Sequence, residues 1–123
     1  MKKIIFLLFL VVLASCKGHD TEKIINVEVG EFKTEVFGKD VQLVDVRTTE
    51  EYNEGHIDDA INIDFFESDT FAENFAQFDK SEPLYIYCKS GNRSQKSSKI
   101  LQEFGFKNII ELRGGYNAWK DEN

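Results

Sequence analysis

From residue 24 onward the chain alternates between two hydrophobic patterns. Short runs rich in aliphatic and β-branched residues fall at 24–29 (IINVEV), 41–46 (VQLVDV), 60–65 (AINIDF), 83–88 (PLYIYC) and 108–112 (NIIEL). Their length and composition predict five strands. Between them the apolar positions take a helical period. Residues 30–39 bring Phe32, Val36 and Phe37 to helical spacing, and 68–78 does the same with Phe71, Phe75 and Phe78. The stretch TTEEYNEG predicts a short helix capped by Thr48 or Thr49 and stopped at Gly55. Two further helices are predicted over about 93–104 and 115–121. Near-continuous apolar strands alternating with helices predict an α/β fold, a parallel sheet covered on both faces. Ligands of such sheets bind beyond the carboxyl ends of the strands. Asp45 with Arg47, and Cys88, stand at two of those ends.

The first fifteen residues follow neither pattern. Lys2 and Lys3 precede an unbroken apolar stretch at 4–14, too short to span a bilayer as a helix and suited to the core of a secretory signal. LASC, residues 13–16, resembles the lipobox of bacterial lipoproteins. That resemblance implies cleavage before Cys16 and acylation of its thiol and amino group, and two or more chains anchor stably where one is marginal. The expected organisation is a lipoprotein signal peptide at 1–15, an acylated Cys16 with a polar tether to residue 23, and one domain at 24–123. The expected location is outside the cytoplasm, on a bacterial membrane through the lipid, facing the periplasm or the cell surface.

Length and charge narrow the rest. At 123 residues the chain accommodates one domain, and 41% hydrophobic content with 11 Phe supports a core. Loss of residues 1–15 would remove two lysines and no acid, taking the net charge from −7 to −9. With no block of basic residues, nucleic acid is not an expected partner. Cys16 and His19 form one isolated pair, short of the ligand set a structural metal requires, so no metal is expected. With Cys16 acylated, Cys88 has no disulfide partner in the chain, and it is either a buried filler or a reactive thiol.

The residues after Cys88 favour reactivity. In CKSGNRS, a strand-to-helix turn aims unpartnered backbone N–H groups and a helix dipole at the sulfur. Gly91 permits a backbone conformation that a side chain obstructs, Ser94 can cap, and Lys89 and Arg93 add positive charge. The candidate site is therefore Cys88 as nucleophile, with Lys89, Ser90, Gly91, Asn92, Arg93 and Ser94 forming a loop that accepts an anion.

Three segments in order resemble the single-domain rhodaneses, a family of sulfurtransferases: DVRTTEEYNEGHIDDAINI (45–63), CKSGNRS (88–94) and LRGGYNAW (112–119). The resemblance implies a rhodanese-like three-layer fold, with a central five-stranded parallel sheet and helices on both faces. It implies a Cys88 persulfide that carries a sulfane sulfur from thiosulfate or a persulfide donor to a thiol or cyanide, with no cofactor. Asp45 and Arg47 are expected to brace the loop, His56 to hydrogen-bond its turn, and Trp119 to lie in the core, while Arg113, Gly114 and Gly115 approach the site. A monomer is expected. The chain departs from the family at Asp58 and Asp59, where many relatives carry Pro-Gly; Asp tolerates the left-handed conformation such a turn uses. Two rival functions share this scaffold. A related phosphatase or arsenate reductase spaces its cysteine and arginine by five residues, whereas four separate Cys88 from Arg93, and the loop has no acid to protonate a leaving oxygen. A non-catalytic sulfur carrier or docking lipoprotein is the other.

Overall fold

The computed structural model describes residues 22–67 and 69–122. The expected signal peptide, Cys16 and most of the expected tether lie outside the described residues. The chain runs β1 (Lys23–Val27), α1 (Val29–Val36), β2 (Gln42–Asp45), α2 (Thr49–Glu54), β3 (Ile61–Asn62), a 3₁₀ turn (Glu73–Phe75), β4 (Leu84–Tyr87), α3 (Asn92–Glu103), β5 (Asn108–Leu112) and α4 (Gly115–Asp121). All five strands are parallel, in the order β1-β5-β4-β2-β3. Among the described residues no helix is long and apolar enough to cross a membrane.

Strand alternation divides the core into two layers. On one face Leu43, Tyr85, Tyr87, Ile110 and Leu112 pack with Val29, Phe32 and Val36 of α1, and Tyr116 and Trp119 of α4 close over them. On the other face Val44, Leu84, Ile86, Cys88 and Ile109 meet Leu101 of α3 and the aromatic group Phe71, Phe75 and Phe106. Both faces of the central strands are buried, which is why LYIY and NIIEL show no polar alternation.

Three sequence expectations change here. The helix expected over 68–78 is a single 3₁₀ turn at Glu73–Phe75. Phe71, Phe75 and Phe78 do converge, with successive ring centroids 5.0 and 5.8 Å apart. The backbone reaches that arrangement through turns such as Ala76 N–H to the Glu73 carbonyl and Phe78 N–H to the Phe75 carbonyl. Ring packing, rather than an intact helix, sets the periodicity. Phe37 is 61% exposed. It lies one residue past α1 in extended backbone, so the helical spacing no longer governs it. The first strand ends at Val27, because Glu28 is already the N-cap of α1 and Val29 its first buried residue.

Candidate active site

The site grows from the ends of β2 and β4. Asp45 pairs in register with Tyr87, so the two chains leave the sheet side by side. Asp45 is fully buried and accepts from the Arg47 backbone N–H (2.8 Å), from Nε and from Nη2 (2.6 Å). Arg47 Nη2 also donates to the Gly55 carbonyl at 2.7 Å. Burial opposes the guanidinium charge, but the Asp45 hydrogen bonds and charge outweigh it and raise the Arg47 pKa above its usual value. The Arg47 guanidinium lies 4.3 Å from the centre of the Tyr116 ring. Burial and the Asp45 carboxylate push the Tyr87 hydroxyl well above the ordinary tyrosine range, so it stays neutral, and it accepts the Ile57 N–H.

Tyr116 connects this brace to the cysteine. Its backbone N–H donates to the Cys88 carbonyl at 2.7 Å, and Asn117 N–H donates to the Lys89 carbonyl at 3.0 Å. The first turn of α4 thus grips the start of the loop. Gly115 makes the approach possible: its φ is +60°, and a Cβ there would sit 2.5 Å from the Cys88 carbonyl oxygen.

Cys88 itself is free and 1% exposed. Burial alone would fit a filler, but two polar groups reach the sulfur from the loop side. Gly91 N–H points at Sγ from 3.0 Å, and Ser94 Oγ stands 3.5 Å from Sγ. Gly91 adopts φ +114° as the N-cap of α3, and that conformation turns its amide onto the sulfur. Ser94 does not cap the helix; its hydroxyl donates back to the Gly91 carbonyl at 3.1 Å from within the first turn. Arg93 forms a two-pronged ion pair with Glu51, at 2.7 and 3.0 Å. Glu51 also closes a capping box with Thr48 at the start of α2. The Arg93 hydrogen bonds outweigh desolvation and hold the Glu51 carboxyl at about 2. The Arg93 charge is still felt by Cys88, though its hydrogen bonds go to Glu51. Lys89, Ser90 and Asn92 are exposed on the rim.

A polar cleft of about 290 Å³ opens beside the loop, with Arg47, Lys89 and Lys120 set against Glu51 and Glu54 in its lining. A larger cleft of about 560 Å³ lies at the other end of the sheet, around Gln42 and Pro83. The smaller one is at the carboxyl ends of the strands, where a parallel sheet places its ligands.

Residues 28–122 match the family described as the rhodanese-like domain. The chain belongs to that family. Among its relatives is the thiosulfate sulfurtransferase GlpE of Shewanella oneidensis, 38% identical over 85 residues that cover 69% of this chain and 81% of that protein. The GlpE of Coxiella burnetii is 34% identical over 82 residues, covering 67% and 74%. Among solved structures, a rhodanese-like domain protein from Staphylococcus aureus superposes with a TM-score of 0.67 at 37% identity, covering 76% of this chain and 89% of that one.

Within this rhodanese-like domain the predicted residues divide. Cys88, Gly91, Ser94 and Gly115 meet at the loop, whereas the Asp45–Arg47 pair is linked to it by way of Tyr116, whose ring faces Arg47 and whose N–H holds the Cys88 carbonyl. Arg113 does not; it points to Asn26 and Glu28 on the surface. His56 stacks on Tyr52 at 3.7 Å with Nδ1 2.9 Å from the Tyr52 carbonyl, a turn role. Asp59 has φ +70°, the left-handed conformation expected of it. Trp119 is half-buried against the core. Three residues escaped the sequence reading. Glu51 holds Arg93, and its spacing from Thr48 was its signal. Tyr116 holds the loop through its backbone N–H, which no side-chain motif reveals, and meets Arg47 with its ring. Glu111 is a 3% exposed carboxyl within an apolar strand, and that misplacement was its signal.

Proposed function

We propose that this protein moves a sulfane sulfur from thiosulfate or a persulfide donor to a thiophilic acceptor through a persulfide on Cys88. The observation that carries the reading is the Gly91 N–H aimed at Cys88 Sγ from 3.0 Å, at the mouth of the loop into α3. The Cys88 thiolate attacks the outer sulfur of thiosulfate. The donor S–S bond breaks and sulfite leaves with its electron pair, so the outer sulfur stays on Cys88 as a persulfide. An acceptor thiolate, or cyanide in an assay, then attacks that outer sulfur, and the Cys88 thiolate is released. The Gly91 amide stabilises the anionic sulfur, and Lys89 on the cleft rim attracts the anionic donor. Oxyanion chemistry has less support, because Arg93 is committed to Glu51 and four residues, not five, separate it from Cys88. Double displacement predicts parallel lines when initial rates are varied in thiosulfate at several cyanide concentrations. Intersecting lines would require both substrates on the enzyme together and would rule out a persulfide intermediate.

The same proposal places the domain outside the cytoplasm, tethered by lipid on Cys16. Its support is the run of residues 1–16: two lysines, an apolar stretch, then LASC.

A further inference from the structure

Glu111 is a carboxyl that sulfur transfer, as drawn above, leaves unused. It lies on β5 opposite Ile86 of β4, on the face that carries Cys88 two residues further on. The Ser94 hydroxyl stands between the two groups, 3.5 Å from Cys88 Sγ, 3.4 Å from Glu111 Oε1 and 3.1 Å from the Gly91 carbonyl. A hydroxyl has one proton to give and two lone pairs. It cannot donate to the Gly91 carbonyl, a Glu111 carboxylate and a Cys88 thiolate at once. An ionised Glu111 only accepts, so it competes with the sulfur for the Ser94 proton. A protonated Glu111 donates to Ser94 Oγ and no longer competes for the Ser94 proton, so only the Gly91 carbonyl shares it with the sulfur.

We propose that Glu111 is a positioning residue for Cys88, and that its protonation state, passed through the Ser94 hydroxyl, sets whether the sulfur anion receives a hydrogen bond. The proton balance closes within the three groups. Cys88 S–H gives its proton to Ser94 Oγ as Ser94 passes its own to Glu111, leaving a thiolate and a carboxylic acid with no change in net charge. Burial favours the neutral carboxyl and raises the Glu111 pKa, against the opposing hydrogen bonds of Ser98 and Ser94.

The other groups around the pair are few. Glu111 meets Ser94 and Ser98 from α3, has the neutral Asn26 beside it on β1, and has Cys88 beyond β4. Cys88 feels Arg93 from α3, neutralised by Glu51, and Lys89 is exposed on the loop. The buried Asp45–Arg47 pair packs against Tyr87 and Tyr116, in the layer on the opposite face of the sheet.

The inference rests on Cys88 being the reactive thiol of the proposed function, but its test needs no sulfur transfer. The full-length protein is alkylated with iodoacetamide across a pH series, and modification of Cys88 is followed by mass spectrometry. In Glu111→Gln the amide N–H donates to Ser94 at every pH, so the midpoint of the rate profile should fall by about half a pH unit or more. Ser94→Ala should raise the midpoint, and in its background Glu111→Gln should lose at least about half its effect, as expected for residues coupled through a shared partner. An unchanged midpoint in Glu111→Gln, or a full shift that persists with Ser94→Ala, overturns the inference. If Glu111→Gln does not fold, the ¹³C carboxyl signal of Glu111 in the wild-type protein decides. It should titrate in two steps, the second lost in Cys88→Ser. One step, the same in both proteins, overturns the inference. Failure to load sulfur with this coupling intact would instead overturn the proposed function alone.

Discussion

Gly115→Ala tests the grip of α4 on the Cys88 loop. The added methyl would lie 2.5 Å from the Cys88 carbonyl oxygen and 2.6 Å from the carbonyl carbon and oxygen of Lys89. All three are backbone atoms, so no rotamer change relieves the contact. Relief requires α4 to retreat by about 1 Å, since carbon contacts settle near ~3.5 Å. Three costs add. Overpacking costs about 1–3 kcal/mol, and a left-handed conformation at φ +60° costs a non-glycine residue about 1 kcal/mol more. The retreat also lengthens the Tyr116 and Asn117 bonds to the loop, each worth about 0.5–1.5 kcal/mol. The expected loss is about 3–7 kcal/mol, a large share of a typical domain stability of about 5–15 kcal/mol. Urea unfolding measures it. Gly30→Ala is the control: Gly30 lies in α1 with nothing within 4 Å of an added Cβ, so Ala should be neutral or stabilising by up to about 1 kcal/mol. In the protein that remains folded, sulfur loading of Cys88 should slow about tenfold or more, because the loop has moved. If Gly115→Ala unfolds at the same urea concentration as Gly30→Ala, the clamp does not exist as described.

Further predictions concern the supports and the anchor. Asp59→Gly should stabilise the protein by about 0.5–1 kcal/mol, seen as a higher Tm, because Asp59 holds φ +70° without a glycine's freedom; a lower Tm would show that its side chain matters more than its backbone. The Glu51 carboxyl is held at about 2 in the folded state against an ordinary 4.5, so its contribution is complete above pH 4.5 and is lost as pH falls toward 2. Discounted for partial exposure, this is worth about 1–2 kcal/mol, and Glu51→Gln should flatten the acid limb of stability between those pH values; an unaltered limb would count against the Arg93–Glu51 pair. Expressed in a bacterial host, the wild-type chain should partition into detergent, and Cys16→Ala should release or misprocess it; wild-type protein recovered unlipidated and soluble would remove the anchor from the account.

Much of the fold was legible because each central strand is buried on both faces, which leaves an unmistakable apolar run in the sequence. All five strands form where the periodicity places them, β3 shortened to Ile61–Asn62, and so do four of the five expected helices. The exception is instructive. Phe71, Phe75 and Phe78 carry helical spacing, yet the chain there folds in turns, because three rings can pack edge-on and tilted without the continuous α-helical hydrogen-bond ladder that spacing normally implies. The loop at Cys88 was equally legible, since a strand, a glycine and a helix start are local features. What the sequence hid were partners brought in from afar. Glu51 reaches Arg93 across 42 positions, and Ser94 meets Glu111 across 17. Tyr116 acts through its peptide N–H, a group every non-proline residue carries. No local pattern distinguishes these contacts before the sheet order is known.

In the proposed reaction Cys88 takes up sulfur as a persulfide, and intact-mass spectrometry reads that uptake as added mass. The purified protein is incubated with thiosulfate, freed of excess donor, and weighed before and after cyanide. The account predicts a gain of one sulfur atom mapped to Cys88, its complete removal by cyanide with thiocyanate formed in equal amount, and no gain in Cys88→Ser. A wild-type mass unchanged by thiosulfate and by a persulfide donor, or the same gain in Cys88→Ser, would contradict it.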